Sequence, residues 1–340
     1  MKNYILRNEN AVYFECGYSC DNVIFLSLNG DNYFITDGRY EIEAKLFAVN
    51  CETIIANDLI EETRKLLKKF KIKKLHFDPN DFNLLTYEKL KDSLHINFIQ
   101  KSNFSKLKRI VKTDDEIKLI KKAMDLGRDG FKKFAKYLKK NGEGKSEKFL
   151  FFKIKEYLTQ KGELDLSFDP IIAVNQNSAK PHALPTTLKL KQNDLLLVDA
   201  GVKYKRYCSD RTCTSLFNRK INFKREQHFS SKKEQKIYDI VLKAQQTAIS
   251  KARSGMKASY IDKIARDIIE KEGFGKYFVH STGHGVGLDI HEYPNISSRS
   301  DIVIEDNMVF TVEPGIYLSN KFGVRIEDTV VMKSGRATIL

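Results

Sequence analysis

Four carboxylates in this chain stand where carboxylates are rarely found, inside or at the end of apolar runs. Leu195-Leu196-Leu197-Val198 leads directly into Asp199, and Val309-Phe310-Thr311-Val312 leads into Glu313, where Pro314-Gly315 ends the strand pattern. Asp210 follows Asp199 after the turn-like Lys203-Tyr204-Lys205-Arg206, and Glu327 lies within the run 324–332. A lone buried carboxylate costs several kcal/mol unless it is paired or bound to a metal ion. A fold that accommodates all four must therefore bring them to a shared counter-charge. A hairpin would join Asp199 to Asp210. Side chains two apart share one face of a strand, so Arg325 and Glu327 point the same way.

Histidine supplies a fifth position. The segment from His280 through His284 to His291 is dense in histidine and glycine. Gly283, Gly285 and Gly287 lack the spacing and the strand–turn–helix context of a dinucleotide fingerprint. They are expected to let the backbone approach a metal site closely. Four carboxylates balance two divalent ions, and bridging carboxylates would hold such ions ~3.5–4 Å apart with an activated water between them. Oxygen-rich ligation with one imidazole suits Mn²⁺, with Fe²⁺, Co²⁺ and Zn²⁺ as alternatives. Each residue alone has an ordinary reading as an N-cap, a salt bridge or a core histidine. Their joint occurrence on adjacent strand ends marks a functional site.

The chain's 340 residues suggest about two domains. Residues 1–110 alternate short strands and helices, which predicts a small α/β domain. Asn29-Gly30 between the apolar runs 23–28 and 33–36 predicts a hairpin. The irregular basic stretch 101–112 reads as a linker. Thr113 and Glu116 then have the spacing of a capping box. The stripe Ile117, Ile120, Met124, Gly127, Phe131, Phe134 and Leu138 predicts one buried helix face. Residues 111–340 form the second predicted domain, with strands over 168–174, 195–200, 308–312 and 324–332 and helices over 233–253 and 259–271. The polar, basic segment 218–233 reads as a mobile surface loop.

The formal net charge is +15. Lysines on solvated helix faces account for it, and no nucleic-acid-binding motif accompanies them, so no nucleic-acid partner is expected. No apolar run approaches the ~18 residues of a membrane span. The first residues lack a signal-peptide pattern, and a cytoplasmic location is expected. Five cysteines at irregular spacing fit neither a disulfide framework nor a zinc site.

Taken together, Leu197-Val198-Asp199-Ala200-Gly201, Tyr207-Cys208-Ser209-Asp210-Arg211-Thr212, His280-Ser281-Thr282-Gly283-His284, Thr311-Val312-Glu313-Pro314-Gly315 and Gly323-Val324-Arg325-Ile326-Glu327-Asp328 resemble the pita-bread metallopeptidases. That family includes methionine aminopeptidase, Xaa-Pro aminopeptidase and prolidase. Asn177-Ser178-Ala179-Lys180-Pro181-His182, Pro185-Thr186 and Phe34-Ile35-Thr36-Asp37-Gly38-Arg39-Tyr40 resemble its proline-directed, creatinase-like branch.

The resemblance implies an α+β protein: a creatinase-like α/β domain over 1–110 and a pita-bread catalytic domain over 111–340. It implies that Asp199, Asp210, His284, Glu313 and Glu327 ligate two divalent ions, with Asp210 and Glu327 bridging. It places His182 and His291 against the substrate carbonyl and tetrahedral intermediate, His280 at the proline pocket, and Arg325 and Tyr317 behind the ligands. Glu313 would move a proton to the leaving nitrogen. The expected reaction is hydrolysis between an N-terminal residue and proline, by a homodimer acting on peptides with proline second. The alternatives are a dipeptidase (prolidase) and, from another class, a non-catalytic peptide-binding module. Arg211 and Cys213 depart from the family pattern around Asp210, but alternation turns them away from that carboxylate.

Overall fold

The computed structural model describes residues 1–340 and divides them into two units, Met1–Arg109 and Ile110–Leu340. The first unit runs β1 (Tyr4–Leu6), α1 (Glu9–Cys16), β2 (Val23–Leu28), β3 (Asp31–Thr36), α2 (Glu41–Phe47), β4 (Glu52–Ile55), α3 (Leu59–Lys69), β5 (Lys74–Phe77), α4 (Leu84–Lys91), β6 (Asn97–Gln100) and α5 (Phe104–Lys108). Asn29 and Gly30 take φ of 56° and 110°, the backbone of a two-residue hairpin turn, and fix the β2–β3 register. The six strands form one sheet in the order β4-β3-β2-β1-β5-β6. Side-chain alternation sends Ile24, Leu26 and Ile35 to one face and Val23, Phe25 and Phe34 to the other. The predicted linker 101–112 contains α5, whose Phe104 is buried with the second set. The single apolar anchor in a basic stretch explains why sequence pattern alone missed this turn of helix.

The second unit opens with α6 (Asp114–Asn141), whose Thr113 and Glu116 make the predicted reciprocal capping box. It continues through α7 (Glu147–Leu158), β7 (Ile171–Val174), β8 (Leu195–Asp199), β9 (Lys203–Tyr204), β10 (Tyr207–Cys208) and β11 (Thr212–Leu216). Next come α8 (Lys232–Lys251), α9 (Ala258–Lys271), β12 (Gly283–Gly285), β13 (Glu292–Ile296), β14 (Val309–Val312), β15 (Gly315–Leu318), β16 (Phe322–Arg325), β17 (Asp328–Lys333) and β18 (Arg336–Ile339). Two antiparallel sheets result, β11-β8-β7 and β13-β12-β14-β17-β18, with β15-β16 and β9-β10 as separate hairpins. Phe131, Phe134, Leu138, Leu150 and Ile154 of α6 and α7 cover the first sheet. Ile237, Val241, Ala244, Ile261 and Ala265 of α8 and α9 cover the second.

Two expectations change here. The predicted strand 324–332 is two strands, interrupted at Ile326 and Glu327, because β16 pairs with β15 while β17 pairs with β14 and β18. The segment 218–233 is not a free surface loop. Ile221, Phe223 and Phe229 are buried, and Phe223 stacks on Phe134 and meets Phe131 edge-on. Each buried phenylalanine contributes roughly 1.5–3 kcal/mol. No helix is long and apolar enough to cross a membrane.

Candidate metal centre and substrate cavity

Antiparallel pairing of β8 with β11 sets Asp199 opposite Thr212, and Asp210 stands two residues before that threonine. The Glu327 backbone N–H donates to Thr212 O at 3.1 Å, which draws the break between β16 and β17 onto the same hairpin. On the larger sheet, β12 lies beside β14, and the Glu313 N–H donates to Thr282 O at 2.7 Å. These strand ends converge on one cavity of about 580 Å³. Asp199, Asp210, His284, Glu313 and Glu327 all line it. Asp210, His284 and Glu327 each offer a ligand atom, and these atoms lie within 4.8 Å of one another. His284 Nε2 is 3.6 Å from Asp210 Oδ2 and 3.2 Å from Glu313 Oε1. Asp199 Oδ2 is held by Arg325 Nη2 at 2.5 Å.

The glycines of the histidine segment stand where neighbouring groups leave no room for a side chain. A side chain at Gly283 would strike the Thr311 carbonyl, one at Gly285 the Tyr293 carbonyl, and one at Gly287 the Glu292 carboxylate. They make room for neighbouring strands and a buried acid on either side of His284.

Burial dominates the electrostatics. Desolvation, then the neighbouring carboxylates, pushes Asp210 and Glu327 well above the ordinary carboxylate range. Desolvation also raises Asp199, against the pull of Arg325. Burial disfavours a charged His284, but hydrogen bonding to Glu313 and the charges of Glu313 and Asp210 outweigh it and lift the imidazole to about 9. Glu313 is likewise opposed by burial, yet the His284 contact brings it down to about 2.

Behind the carboxylates runs a chain of polar contacts. Arg325 donates from Nε to Thr212 Oγ1 at 3.0 Å and from Nη1 to Pro181 O at 3.1 Å and Tyr317 Oη at 2.8 Å. Thr212 Oγ1 donates onward to Glu327 Oε2 at 2.7 Å. His280 Nδ1 lies 2.8 Å from Ser281 O and must carry the proton there, so its Nε2 accepts from Tyr317 Oη at 2.8 Å. Desolvation holds His280 below its usual titration range, consistent with a neutral ring. Tyr317 does not line the cavity; it reaches it through Arg325 and His280. His182 and His291 line the cavity and are both exposed, which excludes a core-histidine role for either. The His291 ring meets His284 edge-on, with centroids 4.3 Å apart. Phe151, Phe168, Ile171, Leu184 and Ile290 supply an apolar wall.

Sequence reasoning passed over Thr212 and Thr311. Thr311 accepts from the His284 N–H at 3.0 Å and donates to Glu313 Oε1 at 3.1 Å. Both threonines stand two residues from a carboxylate on a strand, so same-face alternation was the available signal.

The donor set fits divalent cations. Asp199 Oδ1 and Glu327 Oε1 are buried and have no hydrogen-bond partner. Buried polar atoms are normally satisfied. Oxygen-rich donors with one imidazole, two of those oxygens unclaimed, suit a hard or borderline cation.

A model of metallopeptidase family M24 matches residues 118–334. The chain is 36% identical over 323 residues to the Xaa-Pro dipeptidase of Pyrococcus furiosus, covering 91% of this chain and 86% of that one. An Xaa-Pro dipeptidase structure from Bacillus anthracis superposes with a TM-score of 0.91 at 33% identity, over 99% of this chain and 92% of the other. An X-Pro aminopeptidase structure from Thermotoga maritima gives 0.87 at 30% identity, over 100% and 95%.

Proposed function

This chain belongs to metallopeptidase family M24, with the family's pita-bread catalytic fold behind an N-terminal domain, and on that premise we propose that it is a dinuclear Xaa-Pro aminopeptidase. It is a hydrolase of Xaa-Pro bonds. The observation that carries the proposal is the meeting of Asp199, Asp210, His284, Glu313 and Glu327 in one cavity, with two carboxylate oxygens unclaimed. Asp199 would serve one cation, His284 and Glu313 the other, and Asp210 and Glu327 both, with Mn²⁺ the ion best suited to such donors. When bound, the cations would polarise the scissile carbonyl and make water nucleophilic near neutral pH.

This chain's side chains supply the rest. Glu313 takes a proton at its carboxylate and delivers it to the leaving imino nitrogen of proline. His182 and His291 donate to the oxygen that gains negative charge, an interaction that matters most in the transition state. Neutral His280, packed edge-on against Phe278 and held by Tyr317, forms the wall for the proline ring. Arg325 fixes Asp199.

Release of a first residue from longer peptides is favoured over strict dipeptide cleavage by the cations of the cavity. No lysine lines it, and its one arginine, Arg325, is already committed to Thr212, Pro181, Tyr317 and Asp199. No further lysine or arginine lines the cavity to clamp a dipeptide's carboxylate. The dipeptidase reading draws on the names of the Pyrococcus and Bacillus relatives. Comparing kcat/KM for leucyl-proline and leucyl-prolyl-glycine decides between them. Efficient cleavage of the tripeptide supports the aminopeptidase, and cleavage of the dipeptide alone supports the dipeptidase.

A further inference from the structure

Glu147 is the first residue of α7, a position where an acid ordinarily faces water and complements the helix dipole. Here its exposure is 0%. Its Oε1 accepts from the Val174 N–H at 2.7 Å. Its Oε2 accepts from Asn177 Nδ2 at 2.8 Å, from the Thr186 N–H at 2.7 Å and from Thr186 Oγ1 at 2.6 Å. Asn177 Nδ2 donates also to Leu184 O at 3.0 Å. Backbone contacts reinforce the junction, with Lys148 N–H donating to Thr186 O and Glu147 N–H to Leu188 O.

His182 lies between these anchors and a second one. On its N-terminal side, Pro181 O accepts from Arg325; on its C-terminal side, Leu184 and Thr186 are tied through Asn177 and Glu147. Between the anchors His182 and Leu184 are exposed and line the cavity, while Ala183 is buried. Ala183 is the segment's one buried side chain, packed with Ala173 and Leu197, so the placing of the exposed residues on either side of it depends on the hydrogen-bonded ends. Charge-assisted bonds to a carboxylate are the stronger kind, and four on one buried group make a rigid junction.

We propose that Glu147 is a positioning residue that holds the 181–186 segment so that His182 addresses the scissile carbonyl, an assignment that rests on the aminopeptidase reading given above. Glu147 does not line the cavity and acts on it only through the segment it holds. Glutamine has nearly the same shape but turns one of the two acceptor atoms into a donor, facing donors that already point inward. A geometric error of about 1 Å at a catalytic group can cost on the order of 10²-fold in rate.

The test combines Glu147→Gln, His182→Ala and the double variant in the metal-loaded full chain, with leucyl-prolyl-glycine as substrate. Glu147→Gln is expected to lower kcat about 10- to 100-fold, with KM changed little and metal content retained. In the His182→Ala background the same substitution should cost little more, because the group it positions is gone. Amide hydrogen exchange supplies a readout that needs no substrate. Residues 181–188 should exchange faster in Glu147→Gln, while β8 keeps its protection. Thr186→Val, which deletes one donor to Glu147 and the acceptor of the Leu188 N–H, should show the same pattern at smaller size if Glu147→Gln folds poorly. Equal kcat losses in both backgrounds, or unchanged exchange over 181–188 in both variants, overturn the proposal. Failure of the wild type to cleave any Xaa-Pro peptide overturns the functional reading instead, and the exchange result then still decides whether Glu147 holds the segment.

Discussion

Arg325 Nη2 donates to Asp199 Oδ2 across 2.5 Å, and both side chains are buried. The contact leaves Asp199 Oδ1 buried and with no partner. The guanidinium thus holds a carboxylate in place without occupying the oxygen that a cation needs. Its other nitrogens reach Thr212, Tyr317 and Pro181, so one planar group organises both walls of the centre.

Arg325→Lys should therefore not behave as a conservative change. A single ammonium cannot serve four acceptors arranged around a planar fork. Losing such a support behind metal ligands typically costs 10–100-fold in metal affinity or activity. Metal titration and kcat on the purified variant check this, and near-normal values in both would remove Arg325 from the account.

His182→Ala and His291→Ala should separate catalysis from metal binding. Each histidine is exposed to the cavity and neither is needed to complete the carboxylate cluster. Loss of one oxyanion donor costs roughly 10²–10³ in kcat, about 2.7–4 kcal/mol. KM and metal stoichiometry should stay near wild-type values. Loss of metal together with a collapsed melting temperature would assign the residue to structure.

Metal should stabilise the protein more strongly as pH rises. Asp210 and Glu327 titrate above their ordinary range in the metal-free fold. His284 is raised from 6.5 to about 9. A folded-state value above the unfolded one means that the folded chain binds more protons. That stability is present below the unfolded value and is lost as pH rises through the folded one. For His284 the loss spans the interval from about 6.5 to about 9. Glu313, lowered to about 2, loses its contribution only in acid and does not oppose this trend. Melting temperatures of chelated and Mn²⁺-loaded protein should diverge across that interval. A metal-induced increment that is flat with pH would contradict the linkage.

Much of this centre was legible because buried carboxylates violate an otherwise general pattern. Asp199, Glu313 and Glu327 announce themselves against their apolar neighbours, Asp210 follows from the turn that returns the chain to Asp199, and the hairpin at Asn29-Gly30 and the cap at Thr113 follow from local backbone chemistry. What escaped depends on partners distant in sequence. The break at Ile326 and Glu327 arises because β16 and β17 pair with different strands, a fact no alternation pattern contains. Phe223 and Phe229 anchor the 218–233 segment at irregular spacing amid lysines and glutamines, so its composition suggested solvent. Glu147 looks like any acid in the first turn of a helix, and only the return of residues 174–186 to that turn encloses it.

The most direct test of the central claim is kcat/KM for leucyl-prolyl-glycine against leucyl-alanyl-glycine, measured on Mn²⁺-loaded and on chelated protein. A pocket shaped to proline's ring, which lacks the amide N–H and fixes φ, should favour the proline peptide by ~10–200-fold. That activity should vanish on chelation and return with Mn²⁺. Cleavage of the alanine peptide as fast as the proline peptide, or full activity in demonstrably metal-free protein, would contradict the account.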